Sequence, residues 1–409
     1  MLTILVSIVV ISFLFERWLD YLNSKTWTTS LPFELQGLYD EEKYAKAMQY
    51  DKVNNRFENF TATLSFTATL IMLLMGVFGK WYNYCESFGL SYTLTHFLFF
   101  GSLFIFSDLL NLPFQLYQTF NIEQKFGFNQ TTLSTFFADK IKGYLLGILI
   151  GGPLMAAFIY FYQYSGPNFW IYAWVVISGF SLLMAAFYSS LILPLFNKLK
   201  PLEHGDLRSA IENYCNKTDF KISNLMVMDG SKRSAKANAF FTGLGQSKKI
   251  VLFDTLINQH TQEELVAVLA HEVGHYKHRH ILVSMIISVL QMGVLLYIFS
   301  LFVNEPAISV AMGGNKPVLA LGILGFGILY SPLSLITSLV MNFISRKNEY
   351  EADAFAAKTY SAEPLMNALK KLSVNHLSNL TPHAAYVFFN YSHPTLLQRI
   401  RALNKLSKQ

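Results

Sequence analysis

Seven apolar stretches dominate this chain, and each is long enough, or nearly so, to cross about 30 Å of hydrocarbon as a helix. They run roughly Leu2–Leu22, Ala62–Trp81, Leu94–Phe114, Tyr144–Tyr162, Trp170–Leu195, Ile281–Val303 and Val318–Ile344. In lipid only helices and closed barrels satisfy their own backbone polar groups, and runs of this length select helices. Only 14% of residues are charged. A soluble domain carries about 25%, so lipid is part of the solvent here. The first stretch is the weakest, because Glu16, Arg17 and Asp20 crowd its far end. The last contains Pro332, which a membrane helix tolerates as a kink. Met1–Phe15 is apolar from the start and has no basic leader, so it reads as a first span and not as a removed signal peptide.

The basic residues test the count of seven. Of 32 Lys and Arg, 30 fall on the side that follows spans one, three, five and seven, and only Lys80 and Lys316 fall on the other. Long loops cross a membrane largely regardless of charge, so the 12 in Phe196–His280 are set aside, and 18 against two remain. The N-terminus is therefore expected outside, with the long loops and the C-terminus in the cytosol. The net charge of +6 follows from this segregation. No basic stripe interleaves with aromatics, and no nucleic-acid partner is expected. Membrane lipid is the expected surroundings. Cys85 and Cys215 fall on opposite sides and give neither a disulfide framework nor a metal motif.

One large polar insert, Asn197–His280, interrupts the spans. It holds short β-type runs, Leu225–Met228 and Ile250–Phe253, around a turn-rich stretch with Asp229, Gly230, Gly243 and Gly245. Thr261 with Glu264 three residues later forms a capping box that starts a helix. The pattern from Leu265 to His280 is expected to run straight into span six. The fold class is an all-α polytopic membrane protein carrying a small α+β cytosolic insert. Residues 1–196 supply spans one to five, 197–280 the catalytic insert, 281–345 spans six and seven, and 346–409 a C-terminal cytosolic segment.

The insert's helix carries His271-Glu272-Val273-Gly274-His275. Histidines at i and i+4 share a helical face and can grip one metal ion together. Glu272 lies beside them, near enough to act as general base on the attacking water. Catalytic zinc takes three protein ligands and keeps one position open, so one Zn²⁺ per chain and a third ligand on another helix are expected. Just past span seven, Glu349 and Asp353 are again i and i+4. Glu349 can ligate the metal, and Asp353 can accept a hydrogen bond from a ligand imidazole and fix its tautomer. Glu351 points elsewhere by helical spacing. At this chain's residue frequencies a chance HExxH is expected about 0.01 times, so the motif is specific. A di-iron oxygenase would need several histidine clusters, and a seven-helix transporter or receptor leaves HExxH with Glu349 unexplained.

These two motifs in a seven-span chain resemble the integral-membrane type I CAAX prenyl protease family. Leu35-Gln36-Gly37-Leu38-Tyr39-Asp40 with Glu41–Lys46, and Ile122–Asn129, also look like the family's stretches after spans one and three. The resemblance implies seven tilted helices around a water-filled intramembrane chamber, with zinc at its cytosolic end. Asp108, Asn111 and Gln115 share one helical face and fit such a chamber, though pairing with another helix would satisfy them equally well. Asn238–Gly243 resembles the family's edge strand beside the substrate, and an exposed strand edge can receive an extended peptide. An ordinary hairpin strand reads the same way. His393, before Pro394, is implied as an oxyanion donor, and Arg399 as a holder of the site's carboxylates. The implied substrates are peptides or proteins, membrane-associated and C-terminally prenylated. The alternative is quality control of damaged or misfolded membrane proteins by the same chemistry. Short outside loops, and no dilysine signal in Lys405–Gln409, leave a bacterial plasma membrane and an endoplasmic reticulum membrane equally open.

Overall fold

The structure is a computed structural model and describes residues 1–27, 31, 33–37, 41–221, 224–243 and 249–407. Leu38, Tyr39 and Asp40 of the family-like stretch, and Gly245 of the turn-rich stretch, lie outside the described residues. Among the described residues, seven helices are long and apolar enough to cross a membrane. They are Leu2–Ser24, Glu41–Leu74, Tyr92–Phe126, Leu133–Tyr164, Gly166–Phe196, His280–Phe302 and Leu319–Thr359. Several outrun their apolar cores, because a helix continues into water wherever its backbone bonds and side chains allow. The second begins at Glu41, well before Ala62, and ends at Leu74. Gly76 then adopts φ 59°, and Trp81 belongs to a separate helix, Val77–Glu86. The expected span Ala62–Trp81 is corrected to that extent: a left-handed glycine breaks it. The chain turns there because the Gly79 N–H donates to the Met312 carbonyl at 2.8 Å, an approach that any Cβ on Gly79 would block.

The spans contact one another in chain order, and the seventh returns to the first. Rings mark the joints: Phe57 on Tyr117 at 5.4 Å, Phe158 on Phe169 at 6.0 Å, Trp170 on Tyr297 at 5.3 Å and Phe299 on Phe326 at 5.2 Å. Yet the apolar windows of the first six spans are only 6–11% buried, against 33% for the seventh. Helices of a solid bundle bury a full stripe on one face. These helices instead leave most of each apolar window exposed, as the walls of the expected chamber would. One end is plugged by Leu5, Leu73, Tyr82, Phe99, Met312 and Leu321.

Asp108, Asn111 and Gln115 line a cavity of about 540 Å³ with Phe57, Phe104 and Gln118. The Lys140 ammonium, on span four, reaches Asp108 at 2.6 Å and Gln115 at 3.0 Å. Asn111 donates to the Ser107 carbonyl of its own helix. Cavity lining and helix pairing therefore coexist.

At the open end sits the insert. Strands β1 (Leu199–Pro201), β2 (Asn224–Met228), β3 (Ala239–Thr242) and β4 (Lys249–Phe253) form a sheet in the order β1-β2-β4-β3. β2 and β4 are parallel, and β3 is antiparallel to β4 at the sheet edge. Ile250, Leu252, Leu265, Leu269 and Ala356 build the core between sheet and helices. The catalytic helix, Gln262–Lys277, opens on the Thr261–Glu264 capping box. Its expected continuation into span six is overturned. The helix stops at Lys277, Arg279 turns left-handed at φ 59°, and a new helix begins at His280. A left-handed residue ends the hydrogen-bond ladder and redirects the chain, so His280 folds back beside His275 instead of lying one turn beyond it.

Candidate active site

The catalytic helix crosses the C-terminal part of the seventh helix at Gly274. A Cβ there would lie 2.9 Å from the Ala352 Cα, so only hydrogen lets the two backbones approach this closely. The crossing brings one i, i+4 pair against the other. The Nε2 atoms of His271 and His275 are 3.1 Å apart. Glu349 Oε2 lies 3.6 Å from the first and Oε1 3.3 Å from the second. These three residues can each aim one ligand atom at a common point, all within 4.8 Å of one another.

A cation fits this donor set. Two imidazole nitrogens face each other with a carboxylate beside them, and buried Glu349 Oε2 accepts no hydrogen bond. Arg399 Nη1 is 3.2 Å from that oxygen but is not aligned to donate to it. Behind the trio, the Asp353 Oδ1 is 2.9 Å from His271 Nδ1. Arg399 donates to both Asp353 oxygens, from Nε at 2.8 Å and Nη2 at 2.6 Å. This forked geometry fixes Asp353, which can in turn fix the His271 tautomer. Arg399 and Asp353 are buried, so removing either partner leaves an uncompensated charge.

Glu272 lines a cavity of about 780 Å³ with His271, His275, Glu349, Asn238 and His393. Among the described residues no hydrogen bond or ion pair engages its carboxylate. Burial pushes its carboxyl above the ordinary value, against the pull of the His271 and His275 charges. An unengaged carboxylate with a raised affinity for protons suits a general base. His393 is largely exposed, with Nε2 3.3 Å from Glu349 Oε1 and Nδ1 2.9 Å from Ser392 Oγ. Asn238 precedes β3, lines the same cavity and accepts from the Ala239 N–H at 2.8 Å, while its carbonyl accepts from the Phe253 N–H. The structure thus gathers seven of the eight candidate residues around one cavity, with Asp353 behind it on Arg399 and His271.

Residues 201–407 match the peptidase family M48, and residues 20–198 match the region described as CAAX prenyl protease N-terminal, five membrane helices. The chain belongs to peptidase family M48. It is similar to CAAX prenyl protease 1 homolog of Arabidopsis thaliana, 35% identical over 99% of this chain and 97% of that one. The Homo sapiens homolog is 33% identical over 93% and 90%. A crystal structure of S. mikatae Ste24p superposes with a TM-score of 0.94 at 31% identity, covering 98% of this chain and 99% of that one. The M48 chain described here is therefore a membrane-embedded metalloendopeptidase, and its family implies a metal.

Three residues escaped the sequence reading. His280 Nδ1 is 3.0 Å from His275 Nδ1, and His280 Nε2 is 3.0 Å from Glu351 Oε2. His376 Nε2 accepts from the Ala237 N–H at 3.1 Å, tying down the chain just before the edge strand. Glu351 does point away from Glu349, as its spacing requires, but towards a histidine that only the break at Arg279 brings near. Nothing in a helix-period pattern announces a left-handed arginine.

Proposed function

We propose that this protease is a zinc enzyme that cleaves membrane-associated peptides bearing a C-terminal prenyl group. The observation that carries the reading is the convergence of His271, His275 and Glu349 on one point at the open end of a hollow ring of lipid-exposed helices. One zinc held by these residues would supply Lewis acidity at the scissile carbonyl. Glu272 takes the proton of the attacking water and passes it to the leaving amine. His393 donates to the oxyanion from the cavity wall. The free edge of β3 offers main-chain donors and acceptors to an extended substrate, with Asn238 at its start. Asp353 orients His271, and Arg399 holds Asp353 and Glu349. The hollow between the spans accommodates an apolar chain while the peptide reaches the cavity.

Incubating the purified protein with matched prenylated and unprenylated peptides, and reading products by mass, tests the substrate class. Cleavage confined to the prenylated peptide is expected. Equal cleavage of both would favour the alternative, processing of damaged or misfolded membrane proteins. The catalytic insert is cytosolic in this reading and the N-terminus outside. Single cysteines at Lys80 and Lys316 should then label from outside, and one at exposed Glu203 only after the membrane is opened. Labelling of all three from one side overturns the orientation.

A further inference from the structure

The break at Arg279 gathers a second group of metal-binding side chains beside the first. His280 opens the sixth spanning helix with its Nε2 3.0 Å from Glu351 Oε2. The His278 ring stacks on the His280 ring, centroids 5.5 Å apart and planes within 14°. His278, His280 and Glu351 can each offer one ligand atom, all within 4.8 Å of one another. Two imidazoles and a carboxylate are a divalent-cation donor set, and a nitrogen and an oxygen 3.0 Å apart can straddle an ion about 2.1 Å from each. The group grades from buried His280 to exposed His278, so it opens towards solvent. Lys347, 3.7 Å from the other oxygen of Glu351, is well exposed and free to swing away.

We propose that His278, His280 and Glu351 form a second, weaker divalent-cation site whose occupancy inhibits the protease. The inhibitory part rests on the reading of His275 as a ligand of the catalytic ion. When His275 ligates through Nε2, its Nδ1 carries the proton and donates to Nδ1 of His280, 3.0 Å away. His280 is then protonated on Nε2 and donates to Glu351. In that state Glu351 orients His275 through His280, much as Asp353 orients His271 directly. An ion at the second site needs the Nε2 lone pair of His280. That nitrogen gives its proton to solvent, Nδ1 takes one up, and His280 stays neutral. The new Nδ1–H then faces the Nδ1–H of His275 across a contact that holds only one proton. His275 must turn away, and the catalytic ion loses its support. His280 can orient or ligate, but not both.

Equilibrium dialysis of the purified full chain against rising Zn²⁺, with metal per chain read by elemental analysis and peptidase activity measured in the same samples, tests this. The wild type should hold one zinc tightly, take up a second at higher concentration, and lose activity as the second binds. His278→Ala should keep the tight zinc and its activity without added metal. It should lose the second equivalent and need at least about tenfold more zinc for inhibition, since losing a direct ligand should cost no less than a supporting one. Glu351→Gln, which can still accept from His280, should shift the same way. A wild type that saturates at one zinc, or unchanged inhibition in His278→Ala, overturns the proposal and leaves the catalytic reading intact. A wild type with no tight zinc at all overturns the catalytic reading instead.

Discussion

Two helices that meet at Arg279 show how differently the two halves of this protein are built. The catalytic helix buries nine of its 16 residues, among them His271 and the capping Glu264. The span that follows buries four of 23. One helix is packed over more than half of its residues, and the other leaves most of its surface exposed. A metal site needs side chains held to within a fraction of an ångström, and only the first environment supplies that. The ring of spans contributes a boundary and, in the proposed function, a place for an apolar chain. Positional accuracy belongs to the insert and to the C-terminal part of the seventh helix.

Substitutions that touch the dense region should therefore do far more than equivalent ones in the ring. Glu349→Ala should have the largest effect. It removes one of the three proposed ligands and leaves Arg399 partly unpaired, so the purified variant should retain no stoichiometric metal. Tightly held metal in Glu349→Ala would remove it from the ligand set. A matched pair of glycines comes next. Gly274→Ala drives a Cβ into the Ala352 backbone and should cost about 1–3 kcal/mol by overpacking, with metal affinity falling as the helices separate. Gly179→Ala, in the fifth span, meets nothing within 4 Å. It should be neutral or gain up to about 1 kcal/mol from helix propensity. Thermal unfolding of both in one detergent decides the matter, and equal shifts would erase the contrast between the two regions. Asp353→Asn should have the smallest effect on the site, weakening metal binding by about 10–100-fold as a change behind the ligand. Chelator competition measures it, and unchanged affinity would mean that His271 needs no orienting carboxylate.

What was legible in the sequence follows the same division. Apolar length and the segregation of Lys and Arg disclosed seven spans, because the bilayer imposes a length and a sidedness that any sequence must meet. His271, His275, Glu349 and Asp353 were legible because their helical spacing survives in the fold. The gathering of Asn238, His393 and Arg399 about one cavity came from family resemblance and could not have come from spacing, since each lies on a separate element. Two things were not legible. Gly76 breaks the second apolar run through a tertiary bond between Gly79 and Met312. Arg279 adopts a left-handed conformation that its residue type does not favour. The first depends on a contact between segments far apart in the chain, and the second on a backbone conformation that no periodicity encodes. The second of them created the His275–His280–Glu351 contacts.

The most direct test of the central claim, hydrolysis at the point where His271, His275 and Glu349 converge with Glu272 as base, is Glu272→Gln. The change keeps the shape of the side chain and removes its proton affinity. Metal content and peptide turnover should be measured on one preparation of the purified chain beside the wild type. The expected result is an unchanged metal content with hydrolysis reduced by about 10²–10⁴-fold or more, the usual cost of losing a general base. A metal-loaded Glu272→Gln enzyme with wild-type turnover would contradict it.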